Sequence, residues 1–299
     1  MSFAALKKNV LKSNTIPRIA IAYAEGEEIF TAVAEAAGAG ICAPVLVGRE
    51  TPMRELAERF ALKDFDLVPA PTPEAAAEKA VETVREGRAD MLMKGKVPTS
   101  TLLKAVLREN TGLRGSRLLS HVVVIEQPNG RFLAITDGGL NINPGLKEKA
   151  AILENAVELL VSLGVATPKV AVLSAVELVN PDIPSTLDAA QLSQMAARGQ
   201  IKGAVVDGPL ALDLAVSAQA CKLKQVDTPI AGEADILLVP DLVSGNLLGK
   251  SLIYIAGFAS GGIVMGATCP IILLSRSDSA QEKLNSIILG AAYVHHTGH

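Results

Sequence analysis

The sequence predicts an α/β protein of two lobes, each a mostly parallel sheet covered by helices, meeting at a central cleft. Three observations carry that prediction. Strand-like apolar runs and helix-forming segments alternate almost without a break along the 299 residues, the rhythm of successive βαβ units. The chain is 49% apolar and only 3% aromatic, with no Trp, so its core must be built from Ala, Val, Leu and Ile, which suits buried parallel strands and close-packed helices. One strong turn signal, Gln127-Pro128-Asn129-Gly130, breaks the rhythm near the middle and predicts a hairpin.

Taken in order, "IPRIAIAYA" (16–24) reads as the first strand and "EEIFTAVAEAAG" as a helix ending at Gly38. "APVLVG" (43–48) and "MRELAERFAL" repeat the pair, followed by "DFDLVPA" and "PEAAAEKAVETVREG", whose helix starts at Pro73 or Glu74 and stops at Gly87. "ADMLMKG" (89–95) is the fourth strand, with "STLLKAVLRENTG" as the helix behind it. The hairpin spans "HVVVIEQPNGRFLAITDGG" (121–139) and marks a lobe boundary near residue 137. Beyond it come the helix "KEKAAILENAVELLVSLG", the strand "KVAVLSA", the helix "DAAQLSQMAARG" and the strand "GAVVDGP". The helix "AVSAQACKLK", the strand "ADILLVPD" and the helix "GNLLGKSLIYIAG" follow. Pro270 to Leu274 form a last short strand, and Ser277 to Leu289 carry Ala280, Leu284, Ile287 and Ile288 at helical spacing.

Composition narrows the functions available. A charge of −3 with scarce aromatics provides neither the basic stripe nor the stacking platform of a nucleic-acid binder. No apolar stretch approaches the length needed to span a bilayer, and the N-terminus lacks the pattern of a secretory leader. Cys42, Cys221 and Cys269 are odd in number, far apart and free of a CxxC spacing, so reduced buried thiols and a cytoplasmic setting are expected. His121 opens an apolar strand, while His295, His296 and His299 crowd the C-terminus, where a frayed end does not hold metal geometry. No metal site is expected. Neither a GxSxG elbow nor an HExxH helix occurs.

Open α/β sheets bind ligands outside the carboxyl ends of their strands, so the residues after each strand are the candidates. Ser275-Arg276 ends the last strand and faces a helix start, an arrangement that favours an anion. After "ADMLM" come Lys94, Gly95, Thr99, Ser100 and Thr101, which combine charge, close backbone approach and hydroxyls. Helix capping by the same hydroxyls explains them equally well at this point, because the P-loop order of Gly, Lys and Thr is absent. After "FLAI" comes Thr136-Asp137-Gly138-Gly139, a polar loop that can contact a ligand or simply turn the chain. After "DILLVP" come Asp241 and Asn246, with Lys250 one turn further on. Asp207 and Asp213 complete the set.

Together, "MKGKVPTSTLLKAVL", "TDGGLNINP", "SAVELVNPDIPSTLDA", "VVDGPLALDLAV", "LVPDLVSGNLLGKSL" and "LLSRSDSAQEKLNSI" resemble the phosphate acetyl/butyryltransferases, over nearly the whole chain from Ile19 to Leu289. Details such as "SRSDS" look more like the butyryl branch. The resemblance implies a fold similar to isocitrate dehydrogenase and a cleft active site. It places residues 1–136 with 266–299 in the first lobe, and residues 137–265 in a second lobe that dimerises or builds a higher homo-oligomer. It implies the reaction acyl-CoA plus inorganic phosphate giving acyl phosphate plus CoA, with a butyryl or acetyl group, CoA as substrate, and no metal or other cofactor.

In that reading Ser275 and Arg276 are catalytic, and the base is Glu282, which stands where the family carries an acidic residue, or Asp278 one turn nearer. Lys94, Gly95, Thr99, Ser100, Thr101, Thr136, Asp137, Asn246 and Lys250 bind phosphate or CoA. Leu103-Lys104 depart from the acetyltransferases, which carry an arginine in that helix. Two other functions share the architecture: a metal- and nicotinamide-dependent oxidoreductase using Asp207, Asp213 and Asp241, and a CoA-binding protein without catalysis.

Overall fold

The computed structural model describes residues 1–273, 275 and 277–298. The chain forms two compact units, one of Met1–Arg117 with Ser260–His299 and one of Leu118–Ala259.

The first unit opens with α1 (Phe3–Val10), which the strand–helix rhythm does not announce. Ser2 caps it by accepting the Ala5 N–H, and Phe3, Leu6 and Val10 bury one face. Then β1 (Arg18–Ala22), α2 (Glu27–Gly38), β2 (Ala43–Gly48), α3 (Glu50–Arg59), β3 (Asp66–Pro69), α4 (Pro73–Arg85), β4 (Met91–Lys94) and α5 (Thr99–Val106) follow the predicted alternation. Thr72 caps α4, with Pro73 in its first turn, where a missing N–H costs nothing.

The second unit begins at β5 (Ser120–Glu126), which pairs antiparallel with β6 (Phe132–Thr136), so the hairpin is present as predicted. It continues through α6 (Leu146–Ser162), β7 (Lys169–Leu173), α7 (Pro184–Ala197) and β8 (Val205–Leu210). The expected helix over 215–224 is two short ones, α8 (Leu212–Val216) and α9 (Ala218–Lys224), because Ser217 leaves helical geometry to cap α9 through the Ala220 N–H. After β9 (Ile236–Leu238), α10 (Leu242–Lys250) starts three residues ahead of expectation, where Asp241 accepts the Ser244 N–H. A π-helical turn covers Ser251–Ile255. Strand order in this unit is β5-β6-β9-β7-β8, parallel from β6 onward. Ile125, Ile135, Ala171, Leu210, Leu214 and Leu237 are buried together in its core.

The chain then returns to the first unit with β10 (Ser260–Met265), β11 (Ile271–Ile272) and α11 (Ala280–Thr297). β10 is invisible to strand propensity because it opens Ser-Gly-Gly. The glycine is needed there: a Cβ on Gly261 would lie 3.0 Å from the Asn285 backbone of α11. Within the unit the order is β3-β2-β1-β4-β11-β10; β11 runs parallel to β4 and antiparallel to β10. Ile19, Ile21, Leu46, Leu92 and Ile271 are fully buried, as strands covered on both faces require.

The units divide at 117/118 and 259/260, against expected boundaries at 136/137 and 265/266. Pairing explains the difference. β5 and β6 are one hairpin and β6 joins β9, so neither strand can be parted from the second unit, while β10 pairs with β11 in the first.

Candidate active site

Topology singles out one point in the first unit. From β1 the chain runs outward to β2 and β3, then crosses back to place β4 on the other side of β1. Such a reversal opens a crevice at the carboxyl ends of the two diverging strands. Here those ends are Tyr23-Ala24-Glu25 and Lys94-Gly95-Lys96. The Gly95 N–H donates to the Ala22 carbonyl at 2.9 Å and the Lys96 N–H to the Tyr23 carbonyl at 2.9 Å, locking the two strand ends together. Lys94 is half-buried and Lys96 exposed, so two ammonium groups stand at the crevice.

α5 begins immediately beyond. Pro98 occupies its N-cap position and offers no side-chain acceptor to the first-turn N–H groups. The hydroxyls of Thr99, Ser100 and Thr101 therefore do not cap this helix, and its positive end is presented together with them. That removes the capping explanation left open by the sequence.

Ser275 follows β11, the strand next to β4 and parallel to it, so Lys94 and Ser275 leave the sheet at the same edge. Arg276 lies outside the described residues. The Ser275 N–H donates to Asp278 Oδ2 at 2.7 Å, closing a turn that leaves the Ser275 hydroxyl exposed, 3.0 Å from Ser277 Oγ. Glu282 sits in the first turn of α11. Its Oε2 accepts the Ser279 N–H at 2.6 Å and its Oε1 accepts the Ser260 hydroxyl at 3.3 Å, while Ser279 Oγ accepts the Glu282 N–H at 3.2 Å. This is a reciprocal capping box. Lys283, almost fully buried, donates to the Asp278 carbonyl oxygen and reaches Glu28 at 3.3 Å.

In the second unit Thr136 and Asp137 are buried at the carboxyl end of β6. Thr136 Oγ1 donates to the His121 carbonyl. The Asp137 carboxylate accepts from the N–H groups of Gly139 and Leu140 and from the Asn141 side chain, at 2.8, 3.0 and 2.6 Å. Asn246 Nδ2 donates to the Gly138 carbonyl at 3.3 Å, and a Cβ on Gly138 would lie 2.6 Å from the Gly245 backbone. The Asp137 loop is thus moulded against α10. Lys250 is the last residue of α10, one turn beyond Asn246. Lys94, Gly95, Thr99, Ser100, Thr101, Ser275, Asp278 and Glu282 therefore belong to the first unit, and Thr136, Asp137, Asn246 and Lys250 to the second.

Residues 72–291 match the family described as "Phosphate acetyl/butaryl transferase". The chain belongs to the phosphate acetyl/butyryltransferase family. A phosphate butyryltransferase of Clostridium acetobutylicum is 45% identical over 284 residues, covering 94% of each chain. A phosphate acetyltransferase of Rhizobium meliloti is 45% identical over 262 residues, 87% of this chain and 83% of that one. Among solved structures, a branched-chain phosphotransacylase from Enterococcus faecalis V583 superposes with a TM-score of 0.84 at 35% identity, covering 94% of this chain and all of that one. The fold is isocitrate-dehydrogenase-like, a likeness shared with dehydrogenase chains at the level of fold alone.

Membership of the acyltransferase family overturns the oxidoreductase alternative, and the carboxylates invoked for it are separately engaged. Asp207 accepts the Thr228 hydroxyl at 2.5 Å, Asp213 pairs with Lys224 at 2.9 Å, and Asp241 caps α10. Among the described residues no group of three or more His, Cys, Asp or Glu is placed to hold a metal ion. No helix among them is long and apolar enough to cross a membrane.

Sequence reasoning missed Tyr23, Glu25 and Arg49, which stand at the carboxyl ends of β1 and β2 and precede the span matched to the acyltransferase family. Glu25 is 7% exposed and forms a two-point pair with Arg49, Nε to Oε1 at 2.8 Å and Nη2 to Oε2 at 2.9 Å. These bonds hold the Glu25 carboxyl below its ordinary pKa and raise that of Arg49. The strand-end rule, applied to β1, would have found Glu25. Its partner lies 24 residues away and is visible only once β1 and β2 are side by side.

Proposed function

We propose that the chain transfers a short acyl group, butyryl or acetyl, reversibly between CoA and inorganic phosphate, by direct displacement in a ternary complex. The observation that carries this reading is the rim at the ends of β4 and β11. It sets two lysines, an uncapped helix start and an exposed serine at one sheet edge, in a chain of the acyltransferase family. A phosphate oxygen attacks the thioester carbonyl carbon, the new C–O bond replaces C–S, and CoA leaves as thiolate. Such a step needs orientation and charge stabilisation rather than a covalent nucleophile.

Arg276 holds phosphate with its planar fork, and Ser275 hydrogen-bonds the thioester oxygen or the departing sulfur. In the reverse direction Glu282 takes the thiol proton, its carboxylate oriented by Ser279 and Ser260. Asp278 shapes the Ser275 turn. Lys94, Gly95 and Thr99 to Thr101 bind phosphate groups, and Asp137, through the loop it holds, contributes with Thr136 and Asn246 to the carrier's site.

Lys250, one turn beyond Asn246, binds phosphate or CoA with these residues. No resident metal or cofactor takes part, and CoA is a substrate. The setting is cytoplasmic, in keeping with three buried, unpaired cysteines. The second unit forms a homodimer, supported by the apolar side chains it exposes, including Leu178, Leu223, Val243, Leu247 and Ile255.

Purified protein with chelator, CoA and acyl phosphates from acetyl to valeryl tests the reading. Thioester formation, greatest with the four-carbon chain, is expected. CoA binding without thioester formation would leave only the carrier-binding alternative.

A further inference from the structure

The Glu25–Arg49 pair joins the carboxyl ends of β1 and β2, on the β2 side of the crevice between β1 and β4, and nothing in the reaction described above uses it. Its construction is that of a held binding group rather than a surface ion pair. Glu25 is more than nine-tenths buried. It engages Arg49 at two points, and half of the Arg49 side chain remains exposed. A guanidinium has five N–H donors, more than its bonds to Glu25 and its contact with Tyr23 engage. The guanidinium carbon lies 5.8 Å from the centre of the Tyr23 ring, a second contact that fixes its plane. Tyr23 itself adopts φ +56°, a left-handed conformation uncommon outside glycine.

That turn directs the Tyr23 carbonyl to the Lys96 N–H, and Lys96 adds a further attraction to the Glu25 carboxylate. The neighbouring acids are occupied elsewhere: Glu27 by Arg59 and Glu28 by Lys283. The Glu25 carboxylate thus stands between the Arg49 guanidinium and the Lys96 ammonium. The excess of positive charge is fixed at the position where doubly wound sheets take phosphorylated ligands.

We propose that Arg49, held by Glu25 and Tyr23, binds the phosphate groups at the nucleotide end of the CoA carrier, with Lys96 beside it. Arg49 is a specificity residue for the carrier, and Glu25 is a positioning residue acting through it. This rests on the acyl-transfer reading for the identity of the carrier, and on the geometry of the first unit alone for the site. Glu25 keeps Arg49 extended before the ligand arrives, so little ordering remains to oppose binding.

Calorimetry with CoA and with pantetheine, which lacks the nucleotide phosphates, tests it in wild type, Arg49→Met and Glu25→Gln, alongside steady-state kinetics. Arg49→Met should weaken CoA binding about tenfold, the loss of one charge-assisted contact, and raise KM for CoA accordingly. Affinity for pantetheine and KM for inorganic phosphate should stay unchanged. Glu25→Gln should shift CoA in the same direction by a smaller factor, with kcat moving less than KM. Unchanged CoA affinity in Arg49→Met overturns the inference, as does an equal loss for pantetheine or a rise confined to inorganic phosphate. Wild-type protein that binds CoA but turns nothing over would defeat the acyl-transfer reading while leaving this test intact.

Discussion

A Cβ on Gly95 would sit 2.3 Å from the Tyr23 carbonyl oxygen, which is backbone and cannot swing aside. Gly95→Ala must therefore part β4 from the end of β1. The expected cost is about 3 kcal/mol, the upper end for overpacking, read as a fall in the urea midpoint. Glu25 offers a different test, because its effect depends on pH. Its folded-state pKa is lowered from 4.5, so its contribution is complete above that value and disappears as pH falls through the folded value. With Arg49 half exposed, solvent screens the pair and its contribution is small. Wild type should exceed Glu25→Gln in stability at pH 7, and the difference should shrink as the pH falls below 4.5 and through the lowered folded-state value. Gly95 could be read from the sequence as a place of close approach, since it follows an apolar strand. The Glu25–Arg49 partnership could not, because it exists only through strand pairing.

The start of α11 shows how one carboxylate can belong to both an element and a reaction. Ser279 and Glu282 close the capping box, and Glu282 is also the proposed base. The two roles separate by substitution. Ser279→Ala should cost about 1 kcal/mol in thermal or urea unfolding, with modest effect on turnover. Glu282→Gln keeps an acceptor for the Ser279 N–H, so stability should barely move. Its kcat for thioester formation should fall on the order of 100-fold or more. Equal activity in Glu282→Gln and wild type would assign Glu282 to the cap alone. Most elements were legible because their apolar runs are continuous and their stops are Gly or Pro. Those that were not have specific causes: β10 begins with glycines, α1 precedes the first strand, and the break between α8 and α9 is made by Ser217, whose capping role has no distinctive spacing.

At the scale of the whole molecule, alternation revealed the fold class but not the route of the chain. Nothing in composition tells that residues 260–299 rejoin the first unit, because that depends on which strands β10 and β11 find as neighbours. The same holds for the site, since strand ends far apart in sequence become adjacent only in the sheet. The exposed apolar residues of the second unit have a consequence of their own. α10 and the turn after it carry Val243, Leu247, Tyr254 and Ile255 in the open. A homodimer built there should sediment at twice the chain's mass, and Leu247→Asp with Ile255→Asp should shift it to monomer; an unshifted dimer would place the interface elsewhere. The chemistry is tested most directly by initial rates measured while butyryl-CoA and inorganic phosphate are both varied. Direct displacement in a ternary complex predicts intersecting double-reciprocal lines; parallel lines, with an acylated protein isolated in the absence of phosphate, would contradict it.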